Sequence, residues 1–437
     1  MQKRVHVGCK IVDTAHGCEV SSPVDIFTEG ENIVRIAPTG GDTSGYAVRD
    51  ANGLYAMPGL INAHAHLFGT GAPSKVISGG AAQKLVLKLV RSPLGLAVLK
   101  ALVRSSCLQE LLSGVTTVRA VGDLRYSDVA VKRELEKGKG KAAGLNLIVS
   151  GPGLTSPEGH GAGTTAITAT EPEEFRALVR QNVAAGCDLI KLFITGGVTD
   201  AKKRGEPGIV RMTEAQVKAA CDEAHSMGKR VAAHIQSPTG VEIAARAGVD
   251  TVEHGAHMTD EAIALLKERG GAVVCTYTPA YPYFKLPPEV TKLDELRAYN
   301  SGIVLDGMTE CMRQAIANGI TVGMGTDASC PFSTQYGMWR ELVYFAVLGG
   351  FGAKKALEVA TVGNAAVVGQ SDRIGTLEAG KRADILLLRD NPADDLFVLR
   401  SPAAVVAGGR LIENPTPKRN AEIEGILDKL MEEMTNG

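Results

Sequence analysis

No charge of one sign dominates this chain. Its 47 Lys and Arg face 48 Asp and Glu, for a net charge of −1. Nothing therefore draws it to nucleic acid or anionic lipid. Eight cysteines are scattered without a CxxC pair, which argues against a disulfide framework or a thiolate metal site and fits reduced thiols in a cytoplasmic protein. No uncharged apolar run approaches the roughly 20 residues of a membrane span. No continuous apolar segment follows Met1–His6, so no signal peptide is expected. Internal repeats, low-complexity tracts and a Gly-rich dinucleotide fingerprint are all missing. Aromatic residues make up only 4%.

What remains is an ordinary globular composition, 44% hydrophobic and 22% charged over 437 residues, enough for one large domain and a smaller one. Short alternating strands are predicted at Arg4–Val12 and Ile33–Pro38, and again near the other end at Ile374–Leu377, Ala383–Leu388 and Ala403–Leu411. These end segments are expected to pair into a small β-sandwich from residues 1–57 and 374–415. Residues 416–437 are expected to form a helical tail.

Between them, eight apolar runs alternate with helical stretches: Tyr55–Asn62, Thr116–Ala120, Leu145–Ser150, Leu189–Ile194, Arg230–His234, Thr251–His254, Ala272–Tyr277 and Thr321–Thr326. Ala215–Met227 and Asp260–Glu268 are the clearest helices, each behind a Thr suited to cap it. Buried runs separated by helices imply parallel strands. Eight of them predict an α/β fold with a TIM-like (β/α)₈ barrel over residues 58–373; a doubly wound open sheet is the competing architecture. The connections Leu67 to Ser113 and Thr278 to Asp306 are long. They are candidates for lids or substrate walls, or for plain surface or an oligomer interface.

The first run ends in His64-Ala65-His66. Residues i and i+2 of a strand share a face, so both imidazoles aim past the strand end. Lys191 sits inside an apolar strand, where an ammonium is costly. His234 and His254 end the fifth and sixth runs, and Asp327 follows the eighth. Each has a plain structural explanation alone: a satisfied core His, a snorkelling Lys, an N-capping Asp. Together, at C-terminal strand ends, they make a metal site. Imidazole with carboxylate suits Zn²⁺, with Mn²⁺, Co²⁺ or Fe²⁺ as alternatives. Lysine is a poor ligand until it reacts with CO₂. The resulting carbamate can bridge two cations about 3.5–4 Å apart, and burial favours the neutral amine that reacts.

This set resembles the amidohydrolase superfamily, most closely its imidazolonepropionase-like and prolidase-like members. The likeness is carried by Pro58–His66, Ser113–Val118 (SGVTTV), Lys191–Val198 (KLFITGGV), Val252–Gly255 (VEHG), Gly325–Ala328 (GTDA) and Gly375–Asp384 (GTLEAGKRAD). It implies a barrel plus a sandwich built from both chain ends. It also implies that His64, His66 and Asp327 hold one metal, His234 and His254 a second, and carboxylated Lys191 (N6-carboxylysine) bridges the two. A shared hydroxide would attack a carbonyl and cleave an amide-type C–N bond, with Asp327 moving the proton to the leaving nitrogen. The expected partner is a small-molecule substrate, with no nucleic acid and no membrane; relatives imply a homo-oligomer by analogy.

The substrate stays open: N-acyl amino acids, dipeptides, cyclic amides or carbamate-like compounds. His160 occupies a position at which prolidase-like relatives bind a substrate carboxylate, or it is a His in a Gly-rich loop. Gln236 stands where those relatives often have Tyr, which argues against a dipeptidase. Arg119 is a candidate cation or a structural ion-pair residue. Tyr277, Tyr281, Tyr283, Tyr336 and Trp339 either line a leaving-group pocket or pack between loops. Cys330 reads as a packing residue, and His225 and His257 as non-ligands. The alternative reactions are a mononuclear deaminase or an imidazolonepropionase-type cyclic-amidine hydrolase, which need no bridging lysine. A non-enzymatic metal-binding protein is a third possibility.

Overall fold

The structure, a computed structural model, describes residues 2–73, 88, 90 and 92–436. Strands from both chain ends share one sheet. Lys3–Asp13 pairs antiparallel with Val24–Glu29 and parallel with Ala47–Asp50 and Tyr55–Pro58. Tyr55–Pro58 in turn pairs antiparallel with Ile385–Leu388, and the sheet continues through Ala404–Ala407 to Arg410–Glu413. Two expectations change here. Ile374–Leu377 turns instead of extending. Ala403–Leu411 divides into two strands because Gly408 and Gly409 form a tight turn at φ 52 and 72°, a conformation open to glycine.

Eight further strands are parallel to their neighbours. They are β1 (Leu60–Ala65), β2 (Val115–Ala120), β3 (Asn146–Val149), β4 (Leu189–Phe193), β5 (Arg230–Ile235), β6 (Thr251–His254), β7 (Ala272–Cys275) and β8 (Thr321–Met324). β1–β3 form one sheet, and β4–β8 form another with the short strands Gly153–Thr155 and Ala166–Thr168. Hydrogen bonds cross both gaps between these sheets. Asp188 N donates to Val149 O at 2.7 Å, while Asp327 N donates to His64 O at 2.9 Å and His66 N to Ala328 O at 3.1 Å. β1 and β2 are buried throughout, as parallel strands covered on both faces must be. The single run predicted over Tyr55–Asn62 is two strands. Gly59 N still bonds Asp384 O of the chain-end sheet, and Leu60 N turns to Gly114 O.

Both predicted helices form, as Glu214–Ser226 behind Thr213 and Asp260–Glu268 behind Thr259. The long connection after β1 contains the helix Pro93–Leu112; its residues 74–87, 89 and 91 lie outside the described residues. The connection after β7 is not an open loop but three helices, Tyr277–Lys285, Pro288–Thr291 and Glu295–Asn318. The tail helix Ala421–Asn436 is held by fully buried Arg340, whose two Nη atoms reach Glu424 and Asp428, each at 2.7 Å. Among the described residues, no helix is long and apolar enough to cross a membrane.

Candidate metal centre

Four histidines converge past the ends of β1, β5 and β6. The His64 and His254 ring centroids are 4.9 Å apart, and those of His234 and His254 4.6 Å. Each ring has one nitrogen anchored by the protein. His64 Nδ1 donates to Glu253 Oε2 at 2.7 Å, and His66 Nδ1 to Gly122 O at 2.7 Å. His254 Nδ1 pairs with Thr276 Oγ1 at 2.7 Å, and His234 Nε2 donates to Gly196 O at 3.2 Å. The nitrogen that each ring keeps for a metal is therefore set: Nε2 of His64, His66 and His254, and Nδ1 of His234. Asp327 Oδ1 lies 3.4 Å from His64 Nε2 and 3.1 Å from His66 Nε2. One ligand atom from each of these three residues falls within 4.8 Å of the others.

The backbone is bent to make this happen. His254 and Asp327 take left-handed φ of 65° and 48°, a strain on the order of 1–3 kcal/mol each that the surroundings must impose. Gly325 lets β1 and the segment after β8 approach closely: a Cβ there would sit 2.3 Å from His64 N.

Charge is arranged around a buried amine. Lys191 is fully buried. Its Nζ has no hydrogen-bond partner among the described residues and sits 5.2 Å from the Phe193 ring centroid. Burial brings its pKa down to about 8, against the pull of Glu253 and Asp327. Burial also pulls His234 and His254 well below the usual imidazole range, so both rings are neutral and able to ligate. Burial raises the Asp327 carboxyl, but the adjacent His64 and His66 rings outweigh it and hold the group well below the usual range.

Behind the ligands lies a pair that the sequence reading did not identify as functional. Glu253, fully buried, receives Arg119 Nη2 at 2.8 Å and Thr251 Oγ1 at 2.5 Å while it holds His64. Burial raises its carboxyl, yet Arg119 and His64 bring it below the ordinary range. Arg119 is thus the structural ion-pair residue of the two alternatives. The available signal was a carboxylate within a four-residue buried strand, which requires a partner.

The centre opens into a cavity of about 100 Å³. Besides the six candidate ligands, it is lined by His160, Gln236, Phe193, Tyr283 and Cys330. His160 stacks on His234 at 4.5 Å with an interplanar angle of 9°, and its Nδ1 is held by Asp200. Gln236 Oε1 accepts from Val198 N at 3.1 Å, which leaves its amide NH₂ as donor. Tyr277 and Tyr336 are not brought to this cavity. Glu341 takes the N–H groups of Tyr277 and Thr278 at 2.7 Å each, a helix starts there, and the Tyr277 hydroxyl turns to Thr309. Tyr336 lines a separate groove, its hydroxyl accepting from Asn420 N at 2.8 Å. Cys330 Sγ contacts Asp327 Oδ2 at 3.6 Å, and burial pushes its thiol well up, so it is no nucleophile. His225 pairs with Asp250 away from the cavity.

The sequence profile of the amidohydrolase family matches residues 55–412. The chain belongs to the amidohydrolase family. Ochratoxinase of Aspergillus niger is 25% identical over 387 residues, covering 82% of this chain and 76% of that protein. Imidazolonepropionase of Symbiobacterium thermophilum is 26% identical over 394 residues, covering 82% and 80%. The crystal structure of a Bifidobacterium longum protein provisionally named a prolidase matches with a TM-score of 0.85 and 35% identity, over 98% of this chain and 99% of that one. The amidohydrolase assignment makes this protein a hydrolase of carbon–nitrogen bonds in an α/β fold of that family, and family members generally depend on a metal.

Proposed function

We infer that the protein is a binuclear metal-dependent hydrolase of amide-type C–N bonds. The carrying observation is the Lys191 amine, buried among four histidines and Asp327 with no hydrogen-bond partner among the described residues. A neutral amine adds to CO₂, forming an N–C bond and losing a proton. The carbamate that results gives two anionic oxygens where the bare amine has no partner. His64, His66 and Asp327, whose ligand atoms lie within 4.8 Å of one another, would hold one divalent ion; His234 and His254 would hold a second, with carboxylated Lys191 as a ligand to both. When bound, such a metal pair supplies Lewis acidity and a nucleophile at neutral pH.

The chain's own residues do the rest. Asp327, kept ionised by the neighbouring His64 and His66, would accept a proton from the water-derived nucleophile as that oxygen bonds to the substrate carbonyl carbon, and return it to the departing nitrogen, so that the C–N bond breaks to a carboxylate and an amine. His160 and the Gln236 amide form a polar wall that suits a substrate carboxylate or carbonyl. Phe193 and Tyr283 form an apolar wall for the other half. Relatives named ochratoxinase and prolidase support an amide of an amino acid as substrate. Two cations are compatible with this site; Zn²⁺ best matches imidazole and carboxylate donors.

We also assign residues 58–373 to a closed (β/α)₈ barrel, supported by the bonds across both gaps between the parallel sheets. Residues 1–57 and 374–415 are assigned to a small β-sandwich. Eight free cysteines support a reducing, cytoplasmic setting.

The test is metal analysis with a substrate panel. Protein loaded with Zn²⁺ or Mn²⁺ is expected to carry two metals per chain and to hydrolyse members of a set of N-acyl amino acids, Xaa-Pro dipeptides and aryl amides. One metal per chain, with an unmodified Lys191 in the intact mass, would overturn the binuclear reading in favour of an imidazolonepropionase-type reaction.

A further inference from the structure

A second cavity exceeds the one at the metal centre in volume. About 650 Å³ opens at the opposite end of the parallel strands. Asn146, Leu189 and Arg230, the first residues of β3, β4 and β5, line it, and Arg382 and Arg410 close it from the chain-end sheet. Its charge is unbalanced. Lys132 is neutralised by Asp188 and Glu136, Arg382 by Asp384 and Arg119 by Glu253. Arg230, Arg373 and Arg410 form no ion pair among the described residues, and neither does Glu31, the one carboxylate that faces them unpaired. Counted with these partners, six cations meet five carboxylates, and a surplus of one positive charge is left. Arg230 Nε is also buried without a hydrogen-bond partner among the described residues, although its Nη1 reaches Ala366 O at 3.2 Å.

We propose that this cavity binds a small organic oxyanion, held by Arg230 and Arg410, and that its occupant is sensed at the metal centre through Arg119. Planar guanidinium forks match carboxylate and phosphate oxygens, and the volume suits a metabolite-sized ligand. Arg119 lines the same cavity and reaches Glu253, which holds His64. The site uses neither the metal ligands nor the substrate walls.

Isothermal titration calorimetry of the metal-loaded protein with propane-1,2,3-tricarboxylate and with inorganic phosphate tests the site without any turnover. At least one probe is expected to bind at one per chain. Arg230→Gln and Arg410→Gln are each expected to weaken it tenfold or more, and Lys267→Gln, the same charge change on a distant helix, to leave it unmoved. Arg410 is exposed, so its variant keeps the fold even if Arg230→Gln does not. Binding of the tricarboxylate alone assigns a polycarboxylate, and of phosphate alone a phosphate ester. No saturable binding of either probe, or affinities that both variants leave within twofold, overturns the site. Saturation is further expected to change the hydrolysis rate at least twofold in the wild type and not in Arg410→Gln; an unchanged wild-type rate overturns the link through Arg119.

Discussion

Glu253 Oε2 accepts a hydrogen bond from His64 Nδ1 across 2.7 Å, and the same carboxylate is clamped by Arg119. This fixes the His64 tautomer and the orientation of its ring. Glu253→Gln keeps the shape and removes the charge. It is expected to weaken metal affinity about 10- to 100-fold and, by leaving Arg119 buried without its counter-ion, to lower stability by about 3 kcal/mol. Competition with a chelator and urea unfolding measure the two effects. Unchanged metal affinity would show that Glu253 only neutralises Arg119.

Lys191→Ala removes the bridging group. Activity is expected to vanish, and metal content to fall below two per chain. Propionate, which restores a carboxylate in the space left by the side chain, is expected to return part of the activity. Wild-type turnover without any additive would sink the carbamate role.

Gly325→Ala is expected to cost more than its single methyl suggests. The new Cβ meets the His64 backbone at 2.3–2.7 Å, so His64 must move. A displacement of this kind costs about 100-fold in rate, and metal content measured alongside the rate is expected to fall with it.

His160→Ala separates binding from chemistry. His160 stands at the cavity wall, positioned by Asp200 and by its stack on His234. On substrates that carry a carboxylate, KM is expected to rise about tenfold, the scale of one charge-assisted hydrogen bond, while kcat on a neutral aryl amide stays near wild type. An equal loss on both substrates would make His160 part of the chemical step.

His6 gives the fold an acid sensitivity of its own. It is buried in the chain-end sheet with neither ring nitrogen hydrogen-bonded among the described residues. Burial, then Arg49 and Arg4, lowers its pKa to about 3. The folded state keeps His6 neutral, whereas the unfolded chain takes up its proton near pH 6.5. The stability involved is therefore complete above pH 6.5 and is lost as the pH falls toward 3. At pH 5 the loss is about 2 kcal/mol. Urea unfolding at pH 5 and 7.5 is expected to show His6→Leu losing less than wild type by about that amount; parallel pH profiles would remove His6 as the cause.

The candidate ligands were legible because each is a residue of the wrong polarity at the end of an apolar run, and strand ends are readable from local pattern. Lys191 stood out by this criterion. Glu253 meets it too, but it sits beside His254 in a run of four, and only the fold shows that it points to Arg119, 134 residues earlier. The aromatics were harder. Tyr277 faces Thr309 and Tyr283 faces the cavity because Glu341, distant in sequence, starts a helix at Tyr277. Gly59 likewise divides one apolar run between two sheets, a choice made by Asp384 and Gly114.

Pro58 pairs with Ile385, and Tyr55 with Leu388. During synthesis at about 5–20 residues per second, the first strands leave the ribosome tens of seconds before the ones that complete their sheet. Throughout the making of the intervening parallel strands, the nascent chain carries an open strand edge whose N–H and C=O groups can pair with any passing neighbour. That edge is closed only when Ile385–Leu388 arrives to pair with Tyr55–Pro58.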